Sequence, residues 1–163
     1  MEECSTILDR ALLLLNFSIK DEKITVTKHI SSNLPKTSLR VNNIQQVFVN
    51  IIKNAIDAVK ESNKKEINID ISKIDDFIQI TIADSGCGVP KENLEQIYDP
   101  FFTTKPVGKG TGLGLGVCKN IVSAHGGHIS CESTVNQGTT FKILLPIESN
   151  KLSGRQDLPL SFR

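Results

Sequence analysis

No two cysteines stand at C-x-x-C spacing. Cys4, Cys87, Cys118 and Cys131 are spread singly along the chain, so neither a zinc cage nor a disulfide framework is suggested, and the set reads as reduced and cytosolic. Of the three histidines only His125 and His128 are near each other, and two imidazoles without a third ligand make a poor metal site. A surplus of one charge is also missing. The 19 Lys and Arg against 18 Asp and Glu give a net charge of +1, which argues against a nucleic-acid binder or direct membrane contact, since both rely on excess basic charge. Apolar runs such as Ala11 to Leu15 are far too short to cross a bilayer, and the acidic start Met1-Glu2-Glu3 is not that of a signal peptide. With 163 residues, 39% hydrophobic, and 11 glycines, the chain fits one globular domain and excludes disorder or collagen-like order.

The apolar spacing then sets an order of elements. Ile7, Leu8, Ala11, Leu12, Leu15 and Ile19 recur at the helical period, predicting a helix over Ser5 to Ile19. Residues 23 to 30 alternate as in a half-buried strand. From Asn42 to Lys60 a broad apolar face returns, with Ile44, Val47, Phe48, Ile51, Ile52, Ala55, Ile56 and Val59. Two isoleucine-rich strands around Ile67 to Ser72 and Ile78 to Ile82 are expected to pair antiparallel. Asp84 to Pro90 breaks all regularity, and a short helix is expected from Lys91 to Tyr98. Asp99 to Gly112 reads as a loop, Leu113 to Ala124 as a helix closed by Gly126-Gly127, and His128 to Ser133 and Thr139 to Pro146 as strands joined at Asn136-Gln137-Gly138. Residues 1–148 are taken as one domain and 149–163 as a tail or linker stub.

Four places could carry chemistry. Asn50 and Asn54 lie one turn apart on a strongly amphipathic helix, and Asp57 joins their face. They are either buried or capping amides, or oxygen ligands for Mg²⁺ beside phosphates. Asp84 ends an isoleucine-rich strand before Gly86 and Gly88, where a carboxylate either closes an Asx-turn or accepts a hydrogen bond from an exocyclic amine. The glycine series from Gly108 to Gly116 runs into a helix start, a place that favours phosphate, or it is a flexible hinge. It has neither the Walker nor the Rossmann register. Phe101 and Phe102 sit in the loop before it and suit a lid, an anchor on the core, or both.

Taken in order, Asn50-Ile51-Ile52-Lys53-Asn54-Ala55, Asp84-Ser85-Gly86-Cys87-Gly88, Pro100-Phe101-Phe102-Thr103-Thr104-Lys105, Gly110-Thr111-Gly112-Leu113-Gly114-Leu115 and Gly138-Thr139-Thr140-Phe141 resemble the N, first-glycine, F, second-glycine and third-glycine boxes of sensor histidine kinases. The resemblance runs from about Ser5 to Pro146. Phe-Phe-Thr-Thr-Lys together with His125-Gly126-Gly127 is most similar to the nitrogen-regulation and oxygen-sensing branch.

This resemblance implies the Bergerat ATP-binding fold, an α/β two-layer sandwich with a mixed, mostly antiparallel sheet and helices on one face. It further implies that Asp84 binds the adenine amino group, that Gly86 and Gly88 shape the base pocket, and that Thr139 adds a hydrogen bond near the base. Asn54 ligates Mg²⁺ with help from Asn50, with Asp57 alongside. The amides of Gly110, Thr111, Gly112, Leu113, Gly114 and Leu115 and a lid lysine, Lys105 or Lys109, face the phosphates of ATP or ADP, and Phe101 and Phe102 belong to the lid. Cys87, between two glycines, is read as a small filler.

Related gyrase and chaperone enzymes look to a glutamate at the position of Asn50. A carboxamide takes no proton near neutral pH, so hydrolysis is disfavoured and transfer to another acceptor favoured. None of His29, His125 and His128 sits in the family's acceptor pattern, so the acceptor is expected on a separate dimerisation domain, from which the helix over residues 1–20 leads in. The chain is therefore expected to be an isolated cytoplasmic catalytic domain, monomeric by itself and homodimeric in its full-length kinase, serving a downstream response regulator. The rival expectations are an ATP hydrolase of the gyrase or chaperone type and a nucleotide-sensing scaffold that transfers no phosphate.

Overall fold

The computed structural model describes residues 3–105, 110–147 and 159. Helix α1 spans Cys4–Asp21, strand β1 Thr25–Ile30, helix α2 Val41–Val59, strand β2 Glu66–Ile74, strand β3 Phe77–Asp84, helix α3 Gly114–Ala124, strand β4 His128–Thr134 and strand β5 Gly138–Pro146. The five strands form one sheet in the order β1-β2-β3-β5-β4. Only β1 and β2 pair parallel, because α2 carries the chain back across the sheet between them, and the other pairs are antiparallel.

Alternation along the strands decides which face is covered. Ile67, Ile69 and Ile71 of β2, Ile78, Ile80 and Ile82 of β3, and Phe141, Ile143 and Leu145 of β5 are buried against α2 and α3. The eight apolar residues expected on α2 are all buried, Phe48 being its largest fully buried side chain. Each such side chain contributes about 1.5–3 kcal/mol by leaving water, which outweighs the modest helix propensity of β-branched residues and the absence of a side-chain N-cap on α2. Helix α1 packs on α2 through Ile7, Leu8 and Ala11, and its outward Leu13, Leu14 and Phe17 are exposed.

One expected element is corrected. The helix foreseen from Lys91 to Tyr98 is a single 3₁₀ turn, Lys91–Asn93, followed by turns. Pro90 opens that segment and Pro100 closes it, while Ile97 is buried and Tyr98 half-buried without a regular i to i+4 ladder. The first helix also runs two residues beyond its expected end, to Asp21, and α3 opens at Gly114 with Leu113 as its N-cap residue.

The topology brings two distant stretches of sequence together. Because β5 inserts between β3 and β4, the last residue of β3, Asp84, lies in register with Thr139 at the start of β5. The loop between β3 and α3 leaves the sheet at this corner and passes the N-terminal end of α3, which packs on α2.

Candidate functional site

Asp84 is held by two backbone donors from different elements. The N–H of Gly86 donates to its Oδ1 at 2.8 Å and that of Thr139 to the same atom at 3.3 Å, so Oδ2 has no protein partner among the described residues. Burial pushes the carboxyl up, the two N–H bonds oppose that, and the net result is a pKa raised to about 6. A half-desolvated carboxylate with one oxygen open suits recognition of an exocyclic amine.

The glycines act here through close approach. A Cβ on Gly86 would lie 2.6 Å from the Ala58 Cβ, so the turn after Asp84 rests directly on α2, one residue past Asp57. Gly88 has φ +71 and abuts the Thr134 carbonyl oxygen. Gly138 has φ +117, and a Cβ there would fall 1.9 Å from the Asp84 carbonyl oxygen. Both close approaches of Gly86 and Gly88 are thus to protein, and they fix the walls around Asp84.

Thr139 is buried, and its hydroxyl meets the Ser133 hydroxyl at 2.9 Å. Ser133 Oγ also donates to the Gly138 carbonyl and accepts the Val89 N–H, each at 2.8 Å. Ser133 therefore ties the glycine turn after Asp84 to the β4–β5 hairpin. From sequence alone Ser133 is not singled out, and Gly138 is held only as the first residue of the third-glycine box; for Ser133 the signal is thin. A hydroxyl at a strand end beside a glycine turn was the one available signal.

On α2, Asn50, Asn54 and Asp57 share a half-buried face as expected. Asn50 Nδ2 donates to the Gly114 carbonyl at 3.2 Å, joining α2 to the first turn of α3. Asn54 and Asp57 meet the lid: Lys105 Nζ donates to Asn54 Oδ1 at 3.1 Å and to Asp57 Oδ2 at 2.7 Å. Asp57 Oδ1 also lies 3.3 Å from Lys60 Nζ. Burial pushes the Asp57 carboxyl up, but the hydrogen bonds and charges of Lys105 and Lys60 outweigh this and hold it below the usual carboxylate value. This pair of oxygens already draws an ammonium, and a carboxamide oxygen beside a carboxylate is a donor set that fits a hard divalent cation.

The lid divides its two aromatics. Phe102 packs against the core, whereas Phe101 is 76% exposed in a left-handed conformation, φ 68. That conformation is costly for an aromatic residue and is held by the Phe101 N–H donating to the Gly112 carbonyl at 3.0 Å. Gly110 packs against Thr103 and Lys105, Thr111 and Leu113 are exposed, and Gly114 and Leu115 begin α3. Lys109 lies outside the described residues.

The thiols separate by environment. Cys4 and Cys118 are buried and Cys131 half-buried, and burial pushes their pKa values up to about 12, 11 and 12. Cys87 is exposed rather than a packed filler, because the turn that carries it rests on α2 through Gly86. Among the described residues no group of three or more His, Cys, Asp or Glu could hold a metal, and no helix is long and apolar enough to cross a membrane.

Residues 40–149, more than half of the chain, match the family described as histidine kinase-, DNA gyrase B-, and HSP90-like ATPase. The chain belongs to this family. It is a nucleotide-binding catalytic domain of the histidine-kinase type. It is 36% identical over 151 residues to sporulation kinase C of Bacillus subtilis (strain 168), covering 92% of this chain and 33% of that kinase. The catalytic domain of histidine kinase ThkA, in a nucleotide-free form, superposes with a TM-score of 0.78 at 28% identity, covering 91% of this chain and 95% of that one. ThkA in complex with the response regulator protein TrrA gives a TM-score of 0.77 at 25% identity, over 93% of this chain and 42% of that chain. The chain spans a third or less of the length of the curated relatives it matches.

Proposed function

We propose that this domain binds ATP with Mg²⁺ and presents the γ-phosphate to a histidine on a separate dimerisation domain of the same kinase. The observation that carries this reading is Asp84. Its carboxylate is braced by Gly86 and Thr139 on one oxygen and open on the other, at a sheet corner whose turn rests through Gly86 on Ala58 of α2, the helix that carries Asn54 and Asp57.

In this account Asp84 Oδ2 accepts a hydrogen bond from the adenine amino group, while the N–H groups of Gly86 and Thr139 hold the carboxylate in place and Gly86 and Gly88 shape the base pocket. Asn54, assisted by Asn50 and Asp57, holds the metal ion, which when bound supplies neutralisation of phosphate charge. The backbone from Gly110 to Leu115 at the start of α3, with Lys105 or Lys109, faces the phosphates, and Phe101 and Phe102 carry the lid that keeps water out. Asn50 has no basic lone pair with which to take a proton from water, and its amide is engaged with Gly114. The attacking group is then an imidazole nitrogen of the partner helix, in line with the leaving oxygen, and catalysis comes chiefly from positioning.

The rest of the pathway follows from the same reading. The parent kinase is a homodimer, the isolated domain a monomer, and the phosphoryl group passes on to a response regulator, the kind of partner that ThkA holds. The Phe101 to Lys105 and His125 to Gly127 stretches support the nitrogen-regulation and oxygen-sensing branch, and four free cysteines suit a cytoplasmic setting.

The test is incubation of the domain with γ-labelled ATP, Mg²⁺ and a purified dimerisation domain from a related kinase. Acid-labile, alkali-stable label on the partner alone is expected. Label on this chain, or steady release of free phosphate with none on the partner, contradicts the proposal, and the latter favours the hydrolase alternative.

A further inference from the structure

We infer that Asn54 and Asp57 form one cation seat that the Lys105 ammonium and a divalent metal ion occupy in turn, with Asp57 the carboxylate that holds the lid lysine down until nucleotide arrives. This rests on the reading of Asn54 as a metal ligand and adds an occupant and an order of events.

The seat is fully used. Lys105 Nζ takes Asn54 Oδ1 and Asp57 Oδ2, and Lys60 Nζ takes the other Asp57 oxygen at 3.3 Å. Both Asp57 oxygens therefore face ammonium groups, and a metal ion that engages this carboxylate must displace one of them. Lys60 is ill placed to leave. It sits one turn from Asp57 at the end of the same helix and has a second carboxylate, Glu22, at 3.8 Å. Lys105 belongs to a segment without helix or strand and bridges 48 residues of sequence to reach Asp57.

The described part of the lid is held at its base rather than by helix or strand pairing at Lys105. Its base is stitched by Phe101 N–H to the Gly112 carbonyl and anchored by Phe102 in the core, while Gly110 packs on the Lys105 side chain. A divalent ion on the same two oxygens would stand beside the Lys105 charge and repel it, and a triphosphate would offer that ammonium a new set of anionic oxygens. Loading the site with metal and nucleotide thus expels Lys105 from α2 and makes it available to phosphate in one exchange. In the absence of nucleotide the lysine competes with the metal and keeps the lid down over α2.

The test contains no nucleotide. Hydrogen exchange of the amides at 101–105 and 110–113, and Mn²⁺ binding followed by electron paramagnetic resonance, are measured on the wild-type chain, Lys105→Met, Asp57→Asn and the double variant. Lys105→Met should raise lid exchange and tighten Mn²⁺ binding, each by about three- to tenfold, the scale of a partly exposed ion pair reinforced by an amide. Asp57→Asn should raise lid exchange as much but weaken Mn²⁺ binding, and the double variant should exchange no faster than either single one. Unchanged lid exchange or unchanged Mn²⁺ affinity in Lys105→Met overturns the inference. Lys105→Gln, which keeps the length and loses the charge, checks that the effect is electrostatic. ATP titration of the same samples is read separately, so failure to bind nucleotide counts against the proposed function alone.

Discussion

Gly138 and Asp84 stand so close that a single added methyl on Gly138 would overlap the Asp84 carbonyl oxygen at 1.9 Å. This contact sets the start of β5 against the end of β3 and brings the Thr139 N–H onto the Asp84 carboxylate. The Asp84 carboxylate is thus placed by a backbone-to-backbone approach that only glycine allows.

Gly138→Ala is accordingly expected to be severe. With φ at +117 and a sub-van-der-Waals contact to main chain, neither side can yield without breaking the β3–β5 register. Destabilisation of about 3 kcal/mol or more is expected, read as a lowered midpoint in urea denaturation. A midpoint within experimental scatter of wild type would show that the corner is softer than this geometry implies.

Asp84→Asn should stabilise the domain without nucleotide while removing nucleotide binding. The carboxyl is raised from 3.8 to about 6 in the folded domain, so between those values the native state holds more protons than the unfolded chain. Stability then falls as pH rises from about 4 to about 6, and the loss is complete above that. The whole effect is on the order of 3 kcal/mol by linkage. The variant should lose this slope and be more stable than wild type at pH 7, as expected where a site keeps a desolvated charge for function. Denaturation midpoints of both proteins at pH 4, 5, 6 and 7 give the comparison.

His125 is expected to matter for stability rather than chemistry. Its Nδ1–H donates to the Ile121 carbonyl at 2.7 Å and its Nε2 accepts the Arg40 N–H at 3.1 Å, clasping the end of α3 to the start of α2. His125→Ala should lower unfolding free energy by about 1–2 kcal/mol and leave the affinity for ATP within about twofold, a difference of less than 0.5 kcal/mol. A large loss of affinity with unchanged stability would place the ring in the site instead.

Much of this was legible in the sequence, for reasons that differ by residue. The period of Ile44 to Val59 announces α2 and its buried face, and the alternation of the isoleucines announces the β2–β3 pair, because both patterns are local consequences of backbone geometry. Asn50, Asn54 and Asp57 could be placed on one face by spacing alone. The 3₁₀ turn at Lys91–Asn93 was not legible, since its apolar spacing mimics a helix and tertiary packing of Ile97 and Tyr98 decides otherwise. Nor were the contacts of Gly86 with Ala58, Gly138 with Asp84, and Ser133 with Val89, which join elements far apart in sequence. Lys105 or Lys109 was expected near phosphate, and the hold of Lys105 on Asn54 and Asp57 depends on contacts between α2 and a loop 48 residues beyond Asp57 along the chain.

The most direct test of the account is calorimetric titration of Mg·ATP into the wild-type domain and into Asp84→Asn at pH 7. Saturable one-to-one binding by the wild type, with none by an equally folded Asp84→Asn, is the result the account predicts. Equal binding by the two proteins, or none by a folded wild type, would contradict Asp84 as the adenine-recognising residue.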